Sequence, residues 1–165
     1  MKVIEYNREK AVAYARRWAF SRNPNYYNFD RLGGDCTNFA SQCLFAGVGI
    51  MNVTPDLGWF YYSLENRAAA WTGVEYFYNF LIRNHEGVGN GAGPYAVEVA
   101  ISDLQIGDFI QLGRGTGDFY HTPVVVGFQN GIPLVAAHTN DAFNRSLYSY
   151  SFEKARGIHI LAARV

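Results

Sequence analysis

Gly33-Gly34-Asp35-Cys36-Thr37-Asn38-Phe39-Ala40-Ser41-Gln42-Cys43 reads as a tight glycine turn running into a helix, with a cysteine where the helix begins. A thiol in that position faces the unpaired N–H groups of the first turn and the positive end of the helix dipole. Both favour the thiolate, which is the nucleophilic form of cysteine. The stretch therefore points to chemistry through sulfur, either hydrolysis or acyl transfer. The helix is expected to run from Cys36 to about Gly47, burying Phe39, Ala40, Cys43 and Leu44, with Gly47 or Gly49 as its terminator.

Upstream, Asn7 is placed to cap a helix over 8–21 with Val12, Ala15, Trp18 and Ala19 on one face, ended by Asn23-Pro24-Asn25. Downstream, residues 52–62 are irregular and aromatic. A third helix follows over 68–84, with a break at Thr72-Gly73 and with Tyr76, Phe77, Phe80 and Leu81 facing inward. The glycine-rich stretch 87–94 lacks the Lys-Ser/Thr of a phosphate-binding loop and reads as an ordinary loop. Beyond it the hydrophobic period shortens to two, predicting strands over 97–100, 108–112, 121–128, 132–138 and 158–164. Asn130-Gly131 between two apolar runs marks a hairpin turn. Helices first and antiparallel strands after predict an α+β fold, with N-terminal helices packed on one curved sheet and a single domain over 1–165.

With 14 Lys and Arg against 14 Asp and Glu, and no basic run, the composition argues against nucleic acid or an anionic membrane as partner. The 12 Tyr, 12 Phe and 3 Trp suit either a groove of half-exposed rings or a ring-rich core. Two cysteines are too few for a disulfide framework. On one helix Cys36 and Cys43 stand ~10 Å apart, beyond disulfide reach, so both are expected as free thiols. No window is long and apolar enough to span a membrane. The N-terminus lacks the charged-then-apolar pattern of an export signal, which leaves a cytoplasmic protein or a mature or excised domain.

A cysteine nucleophile needs a base, and the base needs a third group to orient it. Of four histidines, His85 lies in an exposed loop, and His159 alternates within the last strand toward solvent or a polar pocket. His121 opens one strand of the predicted hairpin and His138 closes the next, so the two imidazoles are expected at one sheet edge. Other readings stay open: Cys36 as a small buried hydrophobe, the histidines as surface residues, or a metal site of His121, His138 and Asp141. The spacing of that last set matches no compact zinc motif.

Taken in order, these motifs resemble the NlpC-type cysteine peptidases, compact papain-like hydrolases of bacterial cell-wall peptides. The resemblance rests on Asp-Cys at a helix mouth, the strand Leu-Gln-Ile-Gly-Asp-Phe-Ile-Gln (104–111), a strand-initial histidine and a second polar site. Within that superfamily the chain is closest in pattern to the putative amidase domain family. Asn-Pro-Asn-Tyr (23–26), Gly-Asp-Cys-Thr-Asn-Phe-Ala-Ser-Gln-Cys-Leu (34–44), Trp-Phe-Tyr-Tyr (59–62), Ala-Trp-Thr (70–72) and His-Thr (138–139) carry that resemblance, from about Asn7 to the C-terminus.

The resemblance implies Cys36 as nucleophile, His121 as general base, and His138 as the orienting third residue, with Asn140 as runner-up. It further implies Tyr26 lining the site, Asp35 bracing the turn, and the backbone N–H of Cys36 in an oxyanion hole. Trp59, Tyr61, Tyr62 and Trp71 are expected either to wall a substrate groove or to pack beneath a loop. The implied reaction is amide hydrolysis through a thioester, without metal or organic cofactor. The implied substrate is a peptide or amide of the bacterial envelope, such as a peptidoglycan stem peptide, cut by a monomer at the cell envelope. One departure is that Tyr120 and Thr122 flank His121, and Thr122-Pro123 is an unusual strand continuation because proline donates no ladder bond. Two further readings share the sequence: a silent module that binds wall fragments, and a thiol acyltransferase.

Overall fold

An asparagine cap and a left-handed glycine set two of the helix ends. In the computed structural model, which describes residues 1–165, the Asn7 side chain accepts from the Lys10 amide at 3.0 Å and opens α1 (Arg8–Trp18). Helix α1 buries Ala11, Val12 and Ala15 and stops three residues short of the expected end. Helix α2 (Cys36–Val48) starts at Cys36 and stops at Gly49, whose φ of 68° is the left-handed conformation glycine supplies at a helix end. Its residues from Cys36 through Leu44 are all buried, so α2 is the central rod of the fold. The third helical stretch does break, into α3 (Ala69–Thr72) and α4 (Val74–Arg83), where Gly73 is extended. Phe77, Phe80 and Leu81 face inward, but Tyr76 lies on the exposed face rather than in the core.

The strands form one curled antiparallel sheet, and the fold is α+β. They are β1 (Val3–Ile4), β2 (Gly93–Val99), β3 (Phe109–Gly113), β4 (Phe119–His121), β5 (Val124–Gln129), β6 (Ile132–Ala137), β7 (Ala142–Ser146) and β8 (Lys154–Arg164). The main path runs β1-β8-β3-β5-β6-β7, with β2 added to β8 and β4 to β3. Asn130 and Gly131, both at positive φ, close the β5–β6 hairpin as a primed turn. The expected strand over 121–128 is in fact two strands. Thr122-Pro123 interrupts it, so that His121 pairs across to Leu112 of β3 while Val124 pairs with Ala136 of β6. The short β1 and the polar β7 were not predicted, and β8 begins four residues earlier than expected.

Alternation along the hairpin separates two faces. Val124 and Ala136 join the main core with the helices, through Phe39, Leu44, Trp59, Trp71, Phe77 and Phe109. Val125 and Val135 turn to the other face, where a smaller cluster forms with Leu104, Ile110, Leu112 and Leu147. No helix is long and apolar enough to cross a membrane.

Candidate active site

Gly33 and Gly34 have φ of 86° and 97°, a conformation that side chains resist, and this pair turns the chain into α2. The Asp35 amide donates to Thr139 Oγ1 at 3.0 Å, tying the turn to the end of the hairpin. From there the side chains of Asp35 and Cys36 diverge. The Asp35 carboxylate accepts from the Phe29 amide (2.9 Å) and from Asn38 Nδ2 (2.9 Å), and it meets His138 Nδ1 at 2.5 Å. Cys36 instead faces a cavity of about 280 Å³ whose wall includes Gly34, His121, Asn140, Arg145 and Tyr150.

The break between β4 and β5 brings His121 to this cavity. Thr122 is fully buried, and its hydroxyl shares a 3.1 Å hydrogen bond with that of Thr37 in the first turn of α2. The residue that departs from the expected flanking pattern thus ties the histidine strand to the cysteine helix.

Cys36 Sγ lies 3.7 Å from Thr37 Oγ1 and 4.0 Å from the Tyr120 carbonyl, which accepts from the thiol. Burial pushes the thiol pKa up, against hydrogen bonds from Thr37 and the backbone of Thr122 that favour the thiolate. The direction is opposite to that expected from the helix terminus alone, because burial of the sulfur disfavours its anion. His121 is lowered to about 4, chiefly by burial and then by the charge of Arg145. Its ring makes no side-chain hydrogen bond, and its centroid lies 5.4 Å from that of Tyr150. The resting pair is a neutral thiol and a neutral imidazole on one cavity, with no bond yet formed between them.

His138 has other partners than the one expected. Its Nδ1 meets Asp35, its Nε2 donates to the Trp18 carbonyl at 2.7 Å, and its ring stacks on Phe39 at 3.9 Å. With both nitrogens engaged, it has none to offer His121. Asn140 does line the cavity. The alternative metal set does not converge either, since Asp141 pairs with Arg22 at 2.9 Å. No group of three His, Cys, Asp or Glu side chains comes together to hold a metal ion.

The aromatic residues divide differently from a groove. Trp59 and Trp71 have no exposed surface, and their indole N–H groups donate to Ser41 Oγ and Asn38 Oδ1 of α2. Tyr61 is buried with them, its hydroxyl accepting from the Tyr27 amide. Tyr26 stacks on Trp71 and lies outside the wall of the Cys36 cavity. Only Tyr62 of the four groove candidates is exposed. For Trp59, Tyr61 and Trp71 the core reading is the one the structure supports, because both indole N–H groups and the Tyr61 hydroxyl find partners on α2 and the loop before it.

A sequence model of the putative amidase domain matches residues 5–161. The chain belongs to the putative amidase domain family. Membership points to hydrolysis of amide bonds in general. Among curated proteins, the uncharacterized protein YhbB of Bacillus subtilis (strain 168) is 34% identical over 143 residues. The match covers 86% of this chain and 44% of YhbB, so the chain spans less than half the length of that relative. No solved structure matches.

Three side chains on the cavity of this amidase-family chain carry no signal in the sequence: Arg145, Tyr150 and Ser151. Arg145 lies on β7, whose Ala-Phe-Asn-Arg-Ser sequence lacks the apolar alternation that flags a strand, and Tyr150 and Ser151 lie just beyond the turn that follows it. The other two histidines lie elsewhere. His159 bonds Asp108 at 2.8 Å, and His85 is exposed and stacks on Tyr95.

Proposed function

We propose that the protein is a cysteine-dependent amide hydrolase of the papain-like, NlpC type, acting on peptides of the bacterial cell wall. The observation that carries the proposal is that Cys36, first residue of α2, and His121, last residue of β4, wall one cavity. A thiol and an imidazole on separate elements of a rigid frame are the minimum set for covalent amide cleavage.

As substrate enters, the Cys36 proton passes to His121 while the sulfur–carbon bond forms. The tetrahedral oxyanion takes the backbone N–H of Cys36, which has no intrahelical acceptor because it lies in the first turn. His121 then protonates the leaving amine as the carbon–nitrogen bond breaks. Water gives a proton to the same imidazole and attacks the thioester, and the proton returns to sulfur as the acid leaves. A histidine with its pKa near 4 is unprotonated at neutral pH, so a ring nitrogen is open to the thiol proton, and the transfer waits for a substrate that strengthens the base. Asn140, on the cavity wall, takes the orienting position in this reading, and His138 serves the turn through Asp35.

The test is mass spectrometry of fragments released from purified cell wall by wild type and by Cys36→Ser. Fragments with a newly freed amine and carboxylate are expected from wild type alone. Equal release by both, or none by wild type from wall or from a panel of peptide amides, overturns the proposal.

A further inference from the structure

We infer that the Cys36 cavity selects substrates carrying a carboxylate close to the scissile amide, and that Arg145 is the residue that binds it. The inference rests on the cysteine hydrolase reading for the reaction, but its own support is separate. The cavity wall holds a guanidinium and no carboxylate. Three other half-buried arginines have acidic partners, Arg8 in Asp108, Arg22 in Asp30 and Asp141, and Arg156 in Glu75, while Arg67 and Arg164 lie off this cavity and spend their donors on backbone carbonyls. Arg145 has no acidic partner.

It is nonetheless held in place. Its guanidinium lies 3.6 Å from the ring centroid of Tyr150, Nε donates to Ser149 Oγ at 2.8 Å, and Nη2 donates to the Ser149 carbonyl at 3.2 Å. Nη1 has no protein acceptor. An arginine fixed by stacking, with donors to spare, is pre-organised for a planar oxyanion. Beside it, the Tyr150 hydroxyl is buried with no acceptor for its proton, since the neighbouring Arg145 guanidinium can only donate. Buried polar groups in folded proteins rarely stay unpaired. A carboxylate against Arg145 gives both groups an acceptor.

Such binding also couples to the chemistry. The charge of Arg145 disfavours protonation of His121. An anion that offsets this charge makes the imidazole a stronger base when the correct substrate is in place.

Iodoacetate and iodoacetamide test this directly, since both alkylate a thiol with loss of iodide and differ chiefly in charge. The readout is the ratio of their rates at Cys36 by mass spectrometry, compared with the same ratio for glutathione. The wild-type ratio is expected to favour iodoacetate by roughly tenfold relative to glutathione. Arg145→Gln should bring it to the glutathione value, Arg145→Lys should keep part of the preference, and Tyr150→Phe should lower it severalfold. A wild-type ratio equal to that of glutathione and unchanged in Arg145→Gln overturns the inference.

If the resting, neutral Cys36 alkylates too slowly with either reagent to give a ratio, carboxylate binding is decided by NMR. Titrating glutarate should then shift the His121 imidazole signals saturably in wild type and not in Arg145→Gln. No saturable shift in wild type overturns the inference. Protection by N-acetylalanine and by the α-methylamide of N-acetylaspartate, read in either assay, separates a terminal from a side-chain carboxylate.

Discussion

Asp35 and Cys36 are adjacent and both buried, yet their side chains live in opposite surroundings. Asp35 is fully engaged by Phe29, Asn38 and His138, whereas Cys36 has long contacts to the Thr37 hydroxyl and the Tyr120 carbonyl, with the backbone amides of Thr37 and Thr122 close by. The two histidines repeat the contrast. His138 uses both ring nitrogens, and His121 makes no side-chain hydrogen bond. A buried group whose bonds are complete must break them before it can react, so it serves to hold the turn. A group left without partners on a cavity is free to meet a substrate. In the proposed mechanism, one turn builds a brace on one side and the reactive edge on the other.

The largest expected effect breaks the reactive side alone. Cys36→Ser should lower turnover roughly 10⁴-fold, while urea unfolding shows a stability within about 1 kcal/mol of wild type. Turnover that survives the substitution would move the chemistry elsewhere. Next comes the brace. His138→Ala removes one partner of a buried carboxylate and should cost about 3–5 kcal/mol of unfolding free energy. His121→Ala should cost less stability and remove turnover. If His121→Ala proves the more destabilising of the two, the division between brace and reactive edge is wrong.

This division explains what was legible beforehand. The start of α2 at Cys36 and the hairpin at Asn130-Gly131 were readable because glycine, proline and asparagine signals act locally. The break in the third helix at Gly73 was readable for the same reason. That His121 and Cys36 share a cavity agrees with their placement at a strand end and a helix start. The partner of His138 was not readable, since Asp35 and the Trp18 carbonyl reach it through tertiary packing from far along the chain. Nor was the direction of the Cys36 shift: the helix dipole is visible in a sequence, and burial of the sulfur is not. By sequence the rings of Trp59 and Trp71 fit either groove or core, and the bonds of their indoles to Ser41 and Asn38 that decide between the two are tertiary. Arg145 carries no sequence signal because β7 has no strand-like alternation.

A pH dependence sharpens the comparison between the histidines. His121 is lowered from an ordinary 6.5 to about 4. As pH falls between these values, the unfolded chain takes up a proton that the folded chain refuses, so stability drops. Above 6.5 the full contribution is present, and below 4 no more is lost. The linked loss is ~3 kcal/mol over that window. Urea midpoints measured from about pH 7 to about pH 4 should fall more steeply for wild type than for His121→Gln, which has nothing to titrate. Arg145→Gln should narrow the window, because one cause of the lowered value is removed. Equal slopes in wild type and His121→Gln would mean that His121 is not held neutral by its burial.

The smallest effect expected concerns Asn140, and it decides which polar residue stands third in the site. Asn140 is exposed, has a φ of 60°, and belongs to the cavity wall, whereas the ring of His138 is committed to the brace. An orienting amide restricts the imidazole without exchanging a proton, so its loss should slow the acylation step and leave the fold intact. Asn140→Ala should lower kcat roughly tenfold, equivalent to about 1.4 kcal/mol of transition-state stabilisation, with KM little changed. Asn140→Gly relaxes the backbone and deletes the same amide, so it should show the same loss in kcat. A fall with alanine that glycine rescues would trace the effect to the left-handed backbone instead. Orientation of His121 would then have to come from the substrate or from Tyr150.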